Sequence, residues 1–208
     1  MAEGGPGFPL GRRARLAVFA SGRGSNLAAL IAAFPPGGGD PHAEVVLVIG
    51  DRAEAGALTI ARDAGIAAVH LPYTRGRDAF EWAAQAELAA RAVDLVALAG
   101  FMRILSPAFA FAWRGRLLNV HPSLLPAFPG LHAVRQALAA GASVSGCTVH
   151  FVDAGVDTGP VIARQALPVL EGDDEATLQA RIQAQEHRIF PAAVRAVLRG
   201  EARFEAGS

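Results

Sequence analysis

The chain has 208 residues, 52% of them hydrophobic, which is enough to bury the core of one compact domain. Its 19 basic and 19 acidic residues cancel, so it lacks the basic stripe that grips nucleic-acid phosphates, and no nucleic-acid partner is expected. Apart from six histidines every basic residue is Arg, which excludes a Schiff-base lysine and a phosphate-loop lysine.

Residues 1–13 read as a loose, flexible arm, because "SGRGSN" soon interrupts the apolar stretch that follows the early arginines and no signal core forms. No apolar run approaches the roughly 20 residues that span a bilayer, so no membrane association is expected and the cytoplasm is the natural compartment. "RLAVFA", Arg15 to Ala20, predicts a short buried strand that passes through "SGRGSN" into the helix "NLAALIAAF". "PPGGGDP" stops that helix. The strand "AEVVLVIG", a helix within "AEAGALTIARDAG" and the strand "IAAVHLP" follow.

Arg77 to Ala92 carries the period of an amphipathic helix, and "DLVALAG" reads as a buried strand. Ser106 and Pro107 stand at the capping and first positions of another helix, and "RLLNVH" supplies the next strand. This alternation predicts an α/β fold with a doubly wound, mostly parallel sheet. Beyond Gly130, a short helix "AVRQALAAG" precedes "SVSGCTVHFV" and "PVIARQALPV", expected to pair as an antiparallel extension. The last helix starts Asp-rich and is expected to be perturbed near Pro191. One domain is expected over 14–200, with 201–208 as a free tail.

Ligands of open α/β sheets bind beyond the carboxyl ends of the strands, and three polar elements fall there. In "SGRGSN", Gly22 and Gly24 let the backbone turn and present amides at a helix start, a setting suited to phosphate. It is not a full dinucleotide fingerprint, since Leu27 holds the third glycine position and no acid clearly ends the second strand as a ribose ligand. An ordinary strand-to-helix turn accounts for the loop as well. Asn119 and His121, two apart in a strand, share a face about 7 Å apart. Such a pair is able to polarise a carbonyl, and equally to be a hydrogen-bonded pair at a sheet edge. Pro122, Pro126 and Pro129 then hold the strand end in place. The third element, "HFVDAGVDTGPVI", puts Asp153 and Asp157 in a loop between strands, while His150 reads as a polar group inside a strand.

No metal is expected, since the histidines and aspartates show no recognised ligand spacing. Cys147, the single cysteine, rules out an intramolecular disulfide, fits a reducing compartment, and reads as a small buried hydrophobe more readily than as a nucleophile.

"SGRGSN", "LAGFMRILSP", "LLNVHPSLLPAFPGLHA", "GCTVHFVDAGVDTGPVI" and "QAQEHRIFP" occur in an order that resembles the phosphoribosylglycinamide formyltransferases, the folate-dependent glycinamide ribonucleotide transformylases. The resemblance runs from about Leu16 to Arg199. It implies a Rossmann-like formyltransferase fold and formyl transfer from 10-formyltetrahydrofolate, a co-substrate, to the amine of 5-phosphoribosylglycinamide. It also implies catalytic roles for Asn119, His121 and Asp157, and nucleotide contacts from Gly24, Ser25, Asn26, Gln183 and Glu186. Arg77, Met102, Arg103, Ile104, Leu105 and Asp153 are implied to line the folate pocket. Arg23, between the glycines, departs from the small or neutral residue expected there and would add charge near phosphate.

Two relatives share the Asn, His and Asp. Methionyl-tRNA formyltransferase would need a further C-terminal domain and a basic surface, and formyltetrahydrofolate hydrolase an N-terminal regulatory domain, so the length is expected to exclude both. A non-catalytic nucleotide-binding module using only "SGRGSN" is the alternative from another class. Monomer and homodimer are both compatible with the residues.

Overall fold

Apolar residues on both faces of the first strand, β1 (Ala14–Ala20), decide where it goes. Leu16, Val18 and Ala20 join one hydrophobic cluster while Ala17 and Phe19 join another, so both faces are covered and the strand is central. In the computed structural model, which describes residues 7–204, the chain continues through α1 (Ser25–Ala33), β2 (Ala43–Gly50), α2 (Gly56–Asp63) and β3 (Ala67–His70). A short 3-10 turn (Tyr73–Arg75), α3 (Arg77–Ala90), β4 (Leu95–Leu98), α4 (Pro107–Ala112) and β5 (Leu117–His121) follow. The remainder is α5 (Ala133–Ala139), β6 (Val144–Phe151), β7 (Val161–Pro168) and α6 (Glu175–Leu198).

The seven strands form one sheet in the order β3-β2-β1-β4-β5-β6-β7. The first five are parallel and the last two run antiparallel to their neighbours. The chain builds outward from β1 to β3, then returns to place β4 on the other side of β1, which creates a switch point at the β1 and β4 ends. One face is covered mainly by α1, α2 and α6, the other by α3 and α4. On the second face Phe19 packs edge-on against Phe80 (6.1 Å between centroids) and Phe101 (5.5 Å).

Ser106 caps α4 by accepting from the Phe109 N–H, with Pro107 in the first turn, as its sequence predicts. Asp174 and Thr177 form a reciprocal capping box at the start of α6. Where a disturbance is expected at Pro191, α6 instead runs 24 residues through it without a break. Pro191 removes one donor, but Phe190, Ala193 and Val194 around it are buried on the sheet, and that packing holds the helix.

Both ends are more firmly attached than the sequence implies. In the stretch read as a loose arm, Phe8 and Leu10 pack on the core, and Arg12 binds both oxygens of buried Asp94 at 2.7 and 2.8 Å. At the other end, Phe204 stacks edge-on with Phe151 at 5.7 Å and lies under the Arg114 guanidinium, so residues 201–204 are not a free tail. The first six residues of the arm and residues 205–208 of the tail lie outside the described residues.

Candidate active site

The loops after β4, β5 and β6 enclose a cleft of about 310 Å³. Met102, Arg103, Ile104 and Leu105 form one wall, Asn119 and His121 the floor, and Asp153 and Asp157 the opposite side. Asn119 and His121 leave β5 on the same face, as their spacing requires.

The Pro-rich segment after β5 is tied to β6 by Thr148, a fully buried residue. Its hydroxyl donates to the Ser123 carbonyl (2.7 Å) and accepts from the Leu125 N–H (3.0 Å). The segment then turns back so that the Phe128 carbonyl lies 2.9 Å from His121 Nε2. Nε2 therefore carries a proton and donates to that carbonyl, leaving Nδ1 to face Asp157 Oδ2 at 3.4 Å.

Asp157 occupies a left-handed conformation, φ 55°, in the loop between β6 and β7. That loop closes tightly: a Cβ on Gly159 would lie 1.9 Å from the Phe151 carbonyl oxygen, so only glycine fits there. Asp157 Oδ2 accepts the Gly130 N–H at 2.8 Å, and Oδ1 faces Asn119 Nδ2 (3.4 Å) and His150 Nε2 (3.5 Å). Burial works against ionisation of this carboxyl. The His150 side chain, the Gly130 N–H and the charges of His121 and His150 outweigh it and hold the pKa below the usual carboxylate value.

His150 is a member of the cluster that the sequence pointed to only as a polar strand residue. The antiparallel register sets it directly opposite Asn119, and Asn119 Nδ2 lies 3.1 Å from His150 Nε2. Its Nδ1 donates to the Phe151 carbonyl at 2.7 Å, so Nε2 either accepts from Asn119 or, when protonated, faces Asp157. The Phe128 carbonyl and Gly130 N–H were also missed, because backbone groups carry no residue-type signal.

A second cleft, of about 380 Å³, lies at the switch point. Gly24, Ser25 and Asn26 line it with Gln183 and Glu186 of α6. Gly24 has φ 89° and a Cβ there would lie 2.8 Å from Ala57 Cα, so α1 and α2 approach closely only with glycine between them. No side chain caps α1 and its first turn holds no acid, which leaves its amides available to an anion. Asn26 Nδ2 donates to Glu186 Oε2 at 2.8 Å, and burial pushes the Glu186 carboxyl up, partly offset by that bond.

Gly100, Met102, Val120, Pro122, Leu131 and His132 line both clefts, so the two meet along a common wall beside Asn119 and His121. Arg77 lines neither. It opens α3, is half-exposed, and among the described residues pairs with its neighbour Asp78 at 3.8 Å. An acid does end β2: Asp51 follows Gly50, but it is bound to Arg103 and does not face the second cleft. Among the described residues no group of three or more His, Cys, Asp or Glu is arranged to hold a metal ion. No helix there is long and apolar enough to cross a membrane.

The formyl transferase family model matches residues 14–194. The chain is 52% identical to the phosphoribosylglycinamide formyltransferase of Mycobacterium tuberculosis over 186 residues, covering 88% of this chain and 85% of that one. It is 49% identical to the trifunctional purine biosynthetic protein adenosine-3 of Drosophila melanogaster, which it matches over 92% of its own length and only 14% of that protein's. Its fold is similar to the crystal structure of glycinamide ribonucleotide transformylase 1 from Symbiobacterium toebii, with TM-score 0.88, 46% identity, and coverage of 95% of this chain and 93% of that one. With those residues, that sheet and those relatives, the chain belongs to the formyl transferase family, among the phosphoribosylglycinamide formyltransferases.

Proposed function

We propose that the chain transfers the formyl group of 10-formyltetrahydrofolate to the amine of 5-phosphoribosylglycinamide, an early step of purine synthesis. The observation that carries this reading is the pair of clefts meeting at Asn119 and His121. One sets apolar side chains, among them Phe101, Met102, Ile104 and Leu105, beside the polar cluster, as a flat heteroaromatic donor with a reactive carbonyl requires. The other offers free helix amides and a buried Asn–Glu pair, suited to a ribose phosphate.

The acceptor's amine attacks the formyl carbon, so no Ser or Cys nucleophile is needed. A C–N bond forms, the carbonyl oxygen becomes an oxyanion, and collapse breaks the bond to the folate nitrogen, which takes up a proton as the amine loses one. Asn119 and protonated His121 stabilise the oxyanion. The Asn119 amide makes one firm contact to His150 and one long contact of 3.4 Å to Asp157, and the long one is exchanged for the oxyanion. Asp157, facing His121 Nδ1, orients the ring and passes the amine proton toward the leaving nitrogen through water. Gly24, Ser25, Asn26, Gln183 and Glu186 bind the nucleotide. Met102, Arg103, Ile104, Leu105 and Asp153 bind the donor. A cytoplasmic location belongs to this reading.

The test is folate turnover by purified protein, followed by absorbance, with and without the glycinamide nucleotide. Turnover that needs the nucleotide is expected. Turnover without it would instead identify a hydrolase, and none from folded protein a binding module.

A further inference from the structure

Within residues 102–106 four residues are clamped, each from a different part of the chain. The Met102 N–H donates to Ser21 Oγ just beyond β1 (2.8 Å), and Arg103 Nε donates to Asp51 Oδ2 just beyond β2 (2.6 Å). The Tyr73 hydroxyl donates to the Ile104 carbonyl (3.2 Å), and the Ser106 N–H and hydroxyl both reach the Glu81 carboxylate on α3 (2.5 Å each). Three of these clamps engage the backbone of this cleft wall. The fourth, at Asp51, engages only a side chain.

That fourth clamp is a poor stability device. The Asp51 side chain is 0% exposed and its Oδ1 is buried without a hydrogen-bond partner among the described residues. Its only ionic partner there, Arg103, is 37% exposed. A carboxylate desolvated so completely for one bond to a half-solvated guanidinium adds little to stability. What the arrangement does achieve is orientation. Nε is held by Asp51, and the guanidinium carbon sits 4.9 Å from the Tyr73 ring centroid. Both Nη groups have no hydrogen bond or ion pair among the described residues, in a residue that lines the donor cleft.

We propose that Asp51 is a positioning residue for the formyl donor: it fixes Arg103 so that its two Nη donors face a carboxylate at the glutamate end of the folate. A guanidinium locked in one orientation presents a ready fork to a carboxylate, whereas a free one must be ordered on each binding event. The inference rests on the transferase reading for the identity of the ligand.

Asp51→Asn, isosteric and neutral, tests it. With 10-formyltetrahydrofolate its KM is expected to rise about tenfold, the loss of one oriented charge-assisted contact, with kcat and nucleotide KM within about twofold. With 10-formyltetrahydropteroate, which lacks the glutamate, the KM is expected to match the parent's. In an Arg103→Met background Asp51→Asn should add nothing. An unchanged donor KM, an equal rise for both donors, or the same factor added on top of Arg103→Met would each overturn the proposal. Arg103→Lys leaves Asp51 in place but loses the fork, and it is expected to discriminate the two donors in the same way should the Asp51 variant fail to fold. Equilibrium binding of tetrahydrofolate and tetrahydropteroate gives the same comparison without turnover, which separates failure of this inference from failure of the transferase reading.

Discussion

Replacing Asp157 by Asn removes one negative charge from the cluster and turns the oxygen that faces Asn119 and His150 into an amide donor. The side-chain oxygen of Asn is still able to accept the Gly130 N–H that Asp157 now accepts at 2.8 Å, so the loop keeps its anchor. What is lost is the attraction between the carboxylate and the charge that builds on His121, whose Nδ1 is 3.4 Å away. Two unit charges at that distance attract by about 5 kcal/mol at an effective dielectric of about 20. Relief of the burial cost of the carboxylate returns part of this, so a barrier increase of about 4 kcal/mol, on the order of 10³ in kcat, is expected. Nucleotide KM, set in the other cleft, should change little. The assay is single-turnover formyl transfer across the pH range, with thermal melting as control. The parent rate should fall toward acid as the depressed carboxyl of Asp157 is protonated, and the variant should lack that limb. A folded Asp157→Asn protein within tenfold of the parent kcat would refute the charge-pair reasoning.

Glu186→Gln removes a carboxyl whose pKa burial has raised. Such a group stabilises the fold below its ordinary pKa and loses that contribution as pH rises through the raised value, so the variant should melt higher than the parent at neutral pH and equally in acid. Arg23→Asn takes from the second cleft a cation that has no ion pair among the described residues; nucleotide KM should rise several-fold and depend less on salt, as competition by inorganic phosphate would show. The Cys147 thiol is buried and its pKa is pushed up to about 12, so iodoacetamide should label it only after denaturation, and rapid labelling of native protein would contradict its burial. Phe204→Ala should cost about 1–2 kcal/mol by denaturant melts, since the half-buried ring packs on Phe151 and under Arg114; no loss would restore the free-tail description.

Local rules carried much of this molecule. The two-faced apolar run in β1, the Ser106–Pro107 helix start and the two-residue spacing of Asn119 and His121 each depend on neighbours in the chain, and each is found as expected. Long-range pairing was not legible. His150 enters the site only because the β5–β6 register sets it across from Asn119, and a shift of one residue would turn it to the other face. The arm and tail dock through isolated apolar residues, Phe8, Leu10 and Phe204, which have no periodicity to announce them. Arg77, whose role came by resemblance alone, opens α3 outside the lining of both clefts.

The division of the sheet separates what the enzyme does from whom it does it to. Asn119, His121, His150 and Asp157 all come from the strands and loops of β5 to β7, while the part of the second cleft that the first does not share comes mainly from the β1–α1 turn and α6. Reaction and address are therefore written in different parts of the chain. Recasting the turn at Gly22–Asn26 and the inner side of α6 offers a route to new amine acceptors that leaves the formyl-transfer chemistry undisturbed.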